Sequence, residues 1–257
     1  MNISALFQHY IGIDYSGAET PTSRLRGLRV FRATPIEDPV KIHPPNHEGW
    51  NWTRKEIAHW CVDKLQGNNP IIIGIDHAFS FPINYIDRNN INNWHHFLSD
   101  FCNHWPSHLN SNRVAELRDG NPRSGSSDEF RLTEKWTSSA KSVFRFDIQG
   151  QVAMSSHAGI PWLKYIIDQV GDSVHFWPFD GFAIPPGKSV VAEVYPSVFR
   201  NRYLRHGRSG DEQDAYSIAM WLKQMDGRGA LEGYFNPPLS SAEHKLAEFE
   251  GWILGIR

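Results

Sequence analysis

The stretch HYIGID at residues 9–14, together with its near copy PIIIGID at residues 70–76, decides the fold. In the first, the two isoleucines fall on one face of an extended chain and Gly12 and Asp14 fall on the other, which is the alternation of a β-strand. The second is apolar and β-branched on both faces, as in a strand buried between two layers. We therefore predict two similar strands, the first ending in Asp14 and the second in Asp76.

The segments around these strands indicate an α/β sheet. Residues 27–34 (GLRVFRAT) alternate as a further strand, which a turn at residues 15–18 would join to the first strand as a hairpin. Residues 189–195 (SVVAEVY) form another predicted strand, which ends at Pro196.

Helices are predicted between and after the strands. Thr53 can cap a helix whose third residue is Glu56, and apolar residues then recur at helical spacing until Gly67. Helical patterns also cover residues 94–105, 152–170, 211–225 and 242–252. Between about residues 80 and 188 the pattern is weaker, so we expect a largely helical insertion within a single domain of residues 1–257.

Composition indicates an ordinary globular protein. Apolar residues make up 40% of the 257 residues and charged residues 21%, and no run approaches the roughly 18 apolar residues of a membrane span. Two cysteines, Cys61 and Cys102, are too few for a disulfide framework. The amino-terminal residues lack the basic start of a secretion signal. We therefore expect a cytoplasmic protein without a membrane partner.

Five carboxylates are candidates for one site. Ligands of α/β sheets lie beyond the carboxyl ends of the strands, where Asp14 and Asp76 would both point. A third strand supplies Glu193, and Asp211 and Asp214 share a helix face at i,i+3 spacing. Carboxylates packed this closely repel one another unless a cation neutralises them, and oxygen ligands suit Mg²⁺ or Mn²⁺. Two such ions about 4 Å apart hydrolyse phosphodiesters.

Each carboxylate also has a structural interpretation. An aspartate that ends a strand is often a turn residue or a helix cap. Glu193, within an apolar strand, needs a partner, and a structural ion pair with an arginine is the alternative to a metal ion. Acids at a helix start are favoured by the helix dipole by about 0.3–1 kcal/mol. It is the combination of the five, in this order along the chain, that favours a metal site.

Two groups of basic residues are candidates for binding nucleic acid. The stretch from residue 200 to residue 208 contains no acid and carries four guanidiniums, which match phosphate oxygens in shape: Arg200, Arg202, Arg205 and Arg208. Its alternative is a solvated loop. The second group is mixed with aromatic residues, which would suit single strands, although nearby acids dilute it: Arg118, Arg123, Arg131, Lys135, Lys141 and Arg145.

Several motifs together carry a family resemblance. They are GIDYSG at 12–17, GIDHAFSFP at 74–82, AEVYP at 192–196, DEQDAYSIA at 211–219 and EGWI at 250–253. In this order, and over nearly the whole chain, they resemble an uncharacterised family of predicted ribonuclease-H-like nucleases, a domain of unknown function related to the Holliday-junction resolvase branch. The resemblance implies a mixed sheet of five core strands flanked by helices. It also implies metal-dependent phosphodiester hydrolysis.

The resemblance extends to individual residues. It implies acids at Asp14, at Asp76 and at the helix start, and a supporting role for Glu193 toward the metal or the substrate. The family's His-Lys-Arg-Asp-Ala run is altered here to His-Gly-Arg at 206–208, followed by Asp211-Glu-Gln-Asp-Ala. The late ligand is therefore Asp211 or Asp214, and the alanine that follows Asp214 favours Asp214.

These observations lead to one expectation and two alternatives. The expectation is a metal-dependent nuclease in which Mg²⁺ or Mn²⁺ is held by Asp14, Asp76 and Asp214, with assistance from Glu193 and Asp211. The four arginines from Arg200 to Arg208 would hold the nucleic acid, whether DNA, RNA or a small nucleotide. The alternatives are a phosphotransferase of the actin-like ATPase type, and a catalytically silent module that binds nucleic acid or another partner.

Overall fold

The computed structural model describes residues 5–45, 50–137, 139–146 and 152–257. In this part of the chain six strands form one mixed sheet in the order β3-β2-β1-β4-β6-β5. Their bounds are β1 His9–Asp14, β2 Arg29–Ala33, β3 Val40–Ile42, β4 Ile71–Asp76, β5 Val174–Trp177 and β6 Ser189–Glu193. The first three strands pair antiparallel, as a hairpin and its extension, and β1, β4, β6 and β5 run parallel.

Helices fill the connections and follow the last strand. The bounds are α1 Arg54–Leu65, α2 Ile83–Arg88, α3 Trp94–His104, α4 Val114–Arg118, α5 Leu132–Lys135, α6 Val152–Val170, α7 Gly210–Gly227, α8 Leu231–Phe235 and α9 Ser241–Glu250. The predicted capping box of α1 is present, with Thr53 accepting from the backbone N–H of Glu56 and Glu56 accepting in return. None of the helices in the described part of the chain has the length and apolar character needed to cross a bilayer.

The two faces of the sheet bury separate apolar clusters. On one face Ile11, Ile13 and Ile73 belong to a cluster that includes residues of α1, α3 and α6. On the other face Tyr10 and Ile72 pack in a cluster with residues of α7, α8 and α9. The alternation along β1 and β4 thus assigns neighbouring side chains to opposite helical layers.

Two glycines let α7 lie directly on the sheet. A Cβ atom added to Gly12 would be 2.2 Å from the carbonyl oxygen of Ala215, and one added to Gly74 would be 2.6 Å from Cγ2 of Ile218. Real Cβ atoms do not approach so closely. At Gly12 the neighbour is backbone, so only glycine permits the contact, whereas at Gly74 the Ile218 side chain would have to shift. The Gly-Ile-Asp sequence therefore brings the amino-terminal half of α7 next to the two aspartates that end the strands.

The α/β class is confirmed, but the strand count is not. The four predicted strands are present, whereas β3 and β5 were missed and make the sheet six-stranded rather than five-stranded. Both are short, at three and four residues, so neither is long enough to establish an alternating pattern. The stretch from about 80 to 188 is largely helical, yet it includes β5 and also α6, which packs on α1. It is therefore not only an insertion, because it completes the sheet and one helical layer.

Candidate active site

The ends of β1 and β4 bring Asp14 and Asp76 side by side. The two strands are parallel, and Asp14 is the register partner of Asp76, just as Gly12 is the partner of Gly74. The aspartates therefore share the pleat face of the two glycines, which is the face covered by α7. Asp14 is also the register partner of Arg29 on β2.

The first turns of α7 bring two more aspartates to the same place. Ser209 caps the helix by accepting from the backbone N–H of Glu212, whose carboxylate accepts from the N–H of Ser209 in return. This capping box fixes where the helix starts. Asp211 and Asp214 follow at i,i+3 spacing: Asp211 lies about one turn before Ala215, which packs against Gly12, and Asp214 directly precedes Ala215.

The charges of these carboxylates act on one another. Burial raises the pKa of Asp14 well above its ordinary value, and three negative charges raise it further: those of Asp76, Asp211 and Asp214. Burial likewise raises the pKa of Asp76, with further contributions from Asp214 and Glu193. The pKa of Asp214 is also raised, chiefly by burial. A cluster of this kind binds cations, because a positive charge relieves the repulsion.

Arg200 supplies positive charge to this cluster. Its Nη1 atom donates to Oδ2 of Asp214 at 3.0 Å and to Oδ1 at 3.2 Å, and its charge opposes the rise in the pKa of Asp76. The charge of Arg29 likewise opposes the rise in the pKa of Asp14. The sequence assigned Arg200 to nucleic acid alone, whereas the structure places it on a candidate metal ligand.

Glu193 differs from the four aspartates. It is the register partner of Ile75, so it leaves β6 on the pleat face opposite to that of Asp76. There Arg131 donates to its two carboxylate oxygens at 2.6 and 2.7 Å, and the N–H of Phe79 donates at 3.2 Å. Both charged side chains are nearly inaccessible to solvent. Glu193 is thus held in the structural ion pair that the sequence left as the alternative to a metal ligand.

The sequence did not identify the role of Arg131. Its Nε atom also donates to Oε1 of Glu134 at 2.9 Å, so one arginine serves two buried carboxylates. Arg131 stood among the residues proposed to contact single strands, but it is almost fully buried. The spacing of Arg131 and Glu134, three residues apart at a helix start, was the local signal that could have indicated the pair.

A cleft of about 850 Å³ opens above the carboxylates. Its lining includes the four aspartates, Glu193, Arg131 and the residues 15–18 that follow β1. Its lining also includes Lys141 and Phe146 from the residues between α5 and α6, and Met154 from α6. The cleft therefore combines an acidic floor, apolar and aromatic wall atoms, and the side chains of Arg200 and Lys141.

The cleft's donor set suits a hard divalent cation, because carboxylate oxygens are the preferred ligands of Mg²⁺ and Mn²⁺. As the side chains stand, however, no group of three or more His, Cys, Asp or Glu residues within the described ranges is arranged to hold a metal ion. Asp214 is engaged by Arg200 through both of its oxygens. The carboxylates thus have the right ligand atoms for the cation. Binding it through Asp14, Asp76 and Asp214 together would require Asp214 to leave Arg200.

The other three arginines of the basic run do not line the cleft. Arg208 donates to Gln213 at 2.9 Å and lies over the Tyr216 ring, 3.5 Å from the ring centroid, so it ties the loop to α7. Arg205 is exposed and donates to the backbone of Arg208. Arg202 is also exposed. The run is thus not a uniform basic surface.

The second basic group is also divided among different roles. Arg123 is paired with Asp100, and Arg118 lies over the Phe146 ring, 4.6 Å from its centroid. Lys141 is exposed and lines the cleft. Of these three side chains, only Lys141 is placed to meet a ligand in the cleft.

Comparisons with known proteins do not assign the chain to a family. No protein-family model, no curated protein and no solved structure matches the chain.

Proposed function

We propose that this protein is a metal-dependent nuclease with a ribonuclease-H-like fold. One observation carries the proposal: Asp14 and Asp76 end adjacent parallel strands as register partners, with the aspartates of α7 beside them. Carboxylates whose pKa values are raised by burial and by one another are characteristic of sites that bind cations or transfer protons. Water activation by carboxylate-held Mg²⁺ or Mn²⁺ is the chemistry that best uses such a cluster.

The proposal gives different roles to the aspartates and to Glu193. Asp14, Asp76 and Asp214 would hold the cation, which would supply activation of a water molecule and stabilisation of the leaving oxygen. Asp211 adds negative charge next to Asp14 and strengthens the attraction for a cation. Glu193 is a positioning residue, because its ion pair with Arg131 connects the end of β6 to the segment that precedes α5.

The side chains that line the cleft support nucleic acid as the substrate. Arg200 and Lys141 offer positive charge to a phosphodiester above the acidic floor. Phe146 and Met154 offer apolar surface against which a base or a sugar can pack. A cleft of about 850 Å³ lies within the size range of ligand-binding clefts and accommodates a nucleotide unit of a longer strand.

Cleavage assays test the proposal. Labelled single-stranded, duplex, hybrid and branched nucleic acids are incubated with Mg²⁺ or Mn²⁺ and with wild type, Asp14→Asn or Asp119→Asn. Asp119 is an exposed aspartate outside the cleft lining, so its variant makes the same chemical change elsewhere. We expect metal-dependent cleavage by wild type and by Asp119→Asn, and a loss of at least about 10²-fold in Asp14→Asn.

The assay also separates the alternatives. Cleavage that persists in Asp14→Asn, or that does not need a metal ion, contradicts the proposed mechanism. Absence of cleavage with retained binding of nucleic acid would favour a silent binding module. Absence of both, with hydrolysis of a nucleoside triphosphate, would favour the phosphotransferase.

A further inference from the structure

Arg200 stands beside two of the four aspartates. It contacts both oxygens of Asp214, at 3.0 and 3.2 Å, and its charge also acts on Asp76. It therefore supplies positive charge where a divalent cation shared by Asp76 and Asp214 would supply it too. Two cations that neutralise the same carboxylate compete for it.

The ion pair is placed so that it can open. The Arg200 side chain is 43% exposed and that of Asp214 is 16% exposed, and partly exposed ion pairs hold only weakly. The Arg131–Glu193 pair in the same cleft is the opposite case, at 1% and 6% exposure. Opening the first pair leaves charges that solvent can still reach in part, whereas opening the second would leave fully buried charges without partners.

The backbone around Arg200 does not depend on this ion pair. Nε2 of Gln213, on α7, donates to the carbonyl oxygen of Tyr203 at 2.8 Å and to that of Arg200 at 3.3 Å. These contacts fasten the turn at Arg200–Arg202 to the helix. The guanidinium can therefore leave Asp214 while the turn stays in place at the edge of the cleft.

We propose that Arg200 exchanges partners in this site: a divalent cation displaces it from Asp214, and the released guanidinium then contacts a phosphate of the nucleic acid. The second step rests on the proposed function, whereas the first requires only that two cations compete for one carboxylate. The exchange links the two ligands, because Arg200 becomes available to the phosphate once the cation has bound.

The test measures Mn²⁺ binding by calorimetry, without nucleic acid, for wild type, Arg200→Gln and Lys245→Gln. Lys245 is exposed on α9 and lies outside the cleft lining, so its variant controls for the loss of one positive charge. An arginine beside an aspartate changes its affinity for a proton by about tenfold or more. We expect Arg200→Gln to bind Mn²⁺ about tenfold more tightly than wild type, and Lys245→Gln to match wild type.

A second measurement follows the released guanidinium. Binding of a fluorescent oligonucleotide is measured by anisotropy with Ca²⁺ in place of Mn²⁺. Arg200→Gln should bind it at least about threefold more weakly than wild type and Lys245→Gln. The opposite directions of the two effects exclude general damage to the site, and thermal melting verifies that each variant is folded.

Several outcomes overturn the proposal. Mn²⁺ affinity that is equal or weaker in Arg200→Gln excludes competition, and unchanged oligonucleotide affinity excludes the exchange. Failure of every variant to bind Mn²⁺ overturns both this proposal and the metal-dependent nuclease.

Tighter Mn²⁺ binding and weaker oligonucleotide binding in Arg200→Gln, with no cleavage by wild type, would support the exchange while the nuclease proposal fails.

Discussion

Asp14 and Asp76 are 62 residues apart in the sequence and are direct register partners on adjacent parallel strands. Folding therefore buries two carboxylates next to each other, and the pKa of each is raised mainly by burial, with a further contribution from neighbouring acids. This arrangement destabilises the fold when both groups are ionised. Its stability should consequently respond to pH, to substitution and to divalent cations.

The first prediction concerns stability at neutral pH. Asp14→Asn keeps the shape of the side chain and removes one charge from the cluster. We expect it to raise the free energy of unfolding by about 1–2 kcal/mol at pH 7.5 in the presence of a chelator. Chemical denaturation compares it with wild type and with Asp119→Asn, which should not differ measurably from wild type.

The sign of the pH dependence follows from the raised pKa. The folded chain holds the Asp14 proton to higher pH than the unfolded chain does, so this stabilisation is complete below the unfolded pKa and is lost as pH rises through the folded pKa. The advantage of Asp14→Asn should therefore shrink as pH falls toward 4. An advantage that stays constant from pH 7.5 to pH 4 would contradict a raised pKa of Asp14.

The second prediction separates Glu193 from the aspartates. Glu193→Gln removes one charge of a buried ion pair and should destabilise the protein by about 3 kcal/mol. Asp168→Asn breaks the exposed pair with Lys164 and should cost less than about 1 kcal/mol. Urea unfolding measures both. Equal free energies of unfolding for Glu193→Gln and wild type would mean that the ion pair with Arg131 does not stabilise the end of β6.

A third prediction tests the contact between β1 and α7. Gly12→Ala would place a methyl group 2.2 Å from the carbonyl oxygen of Ala215, and the resulting shift should cost about 1–3 kcal/mol. Gly210→Ala, at the start of the same helix, adds a methyl group with no atom within 4 Å. It should be neutral or up to about 1 kcal/mol stabilising. Thermal unfolding distinguishes the two, and equal melting temperatures would exclude the tight contact.

A fourth prediction uses a buried histidine that is not among the residues lining the cleft. Burial lowers the pKa of His157 to about 3, so the unfolded chain binds a proton there at pH 5 and the folded chain does not. This contribution to stability is present above the unfolded pKa and is lost as pH falls below it. Between pH 7.5 and pH 5 wild type should lose about 2 kcal/mol more than His157→Phe. Parallel stability curves for the two proteins would refute this.

The sequence predicted the features that depend on local pattern. The two Gly-Ile-Asp strand ends, the capping box at Thr53 and the helix that begins near Asp211 were all predicted, and the structure contains them. Each is encoded within about a dozen neighbouring residues, by alternation, helical spacing or a cap. The location of Asp14 and Asp76 at one edge of the sheet followed from the rule that ligand sites lie beyond the carboxyl ends of the strands, whereas their direct register pairing is a finding of the structure.

The features that were missed depend on contacts between distant residues. β5 is four residues long and is a strand because β6 provides its hydrogen bonds. Arg131 is buried because it forms an ion pair with Glu193, which lies 62 residues later in the sequence. Arg200 faces Asp214 because the turn at residues 200–202 packs against α7. The spacing of Arg131 and Glu134 indicates a local pair, but no local pattern predicts the partners Glu193 and Asp214.

The most direct test of the central claim is anomalous X-ray scattering from crystals of the protein soaked in Mn²⁺. We expect an anomalous peak in contact with the carboxylates of Asp14 and Asp76, with Asp214 turned from Arg200 toward the ion. A peak that contacts neither Asp14 nor Asp76, or no peak at millimolar Mn²⁺, would contradict the proposal that these aspartates form a divalent-metal site.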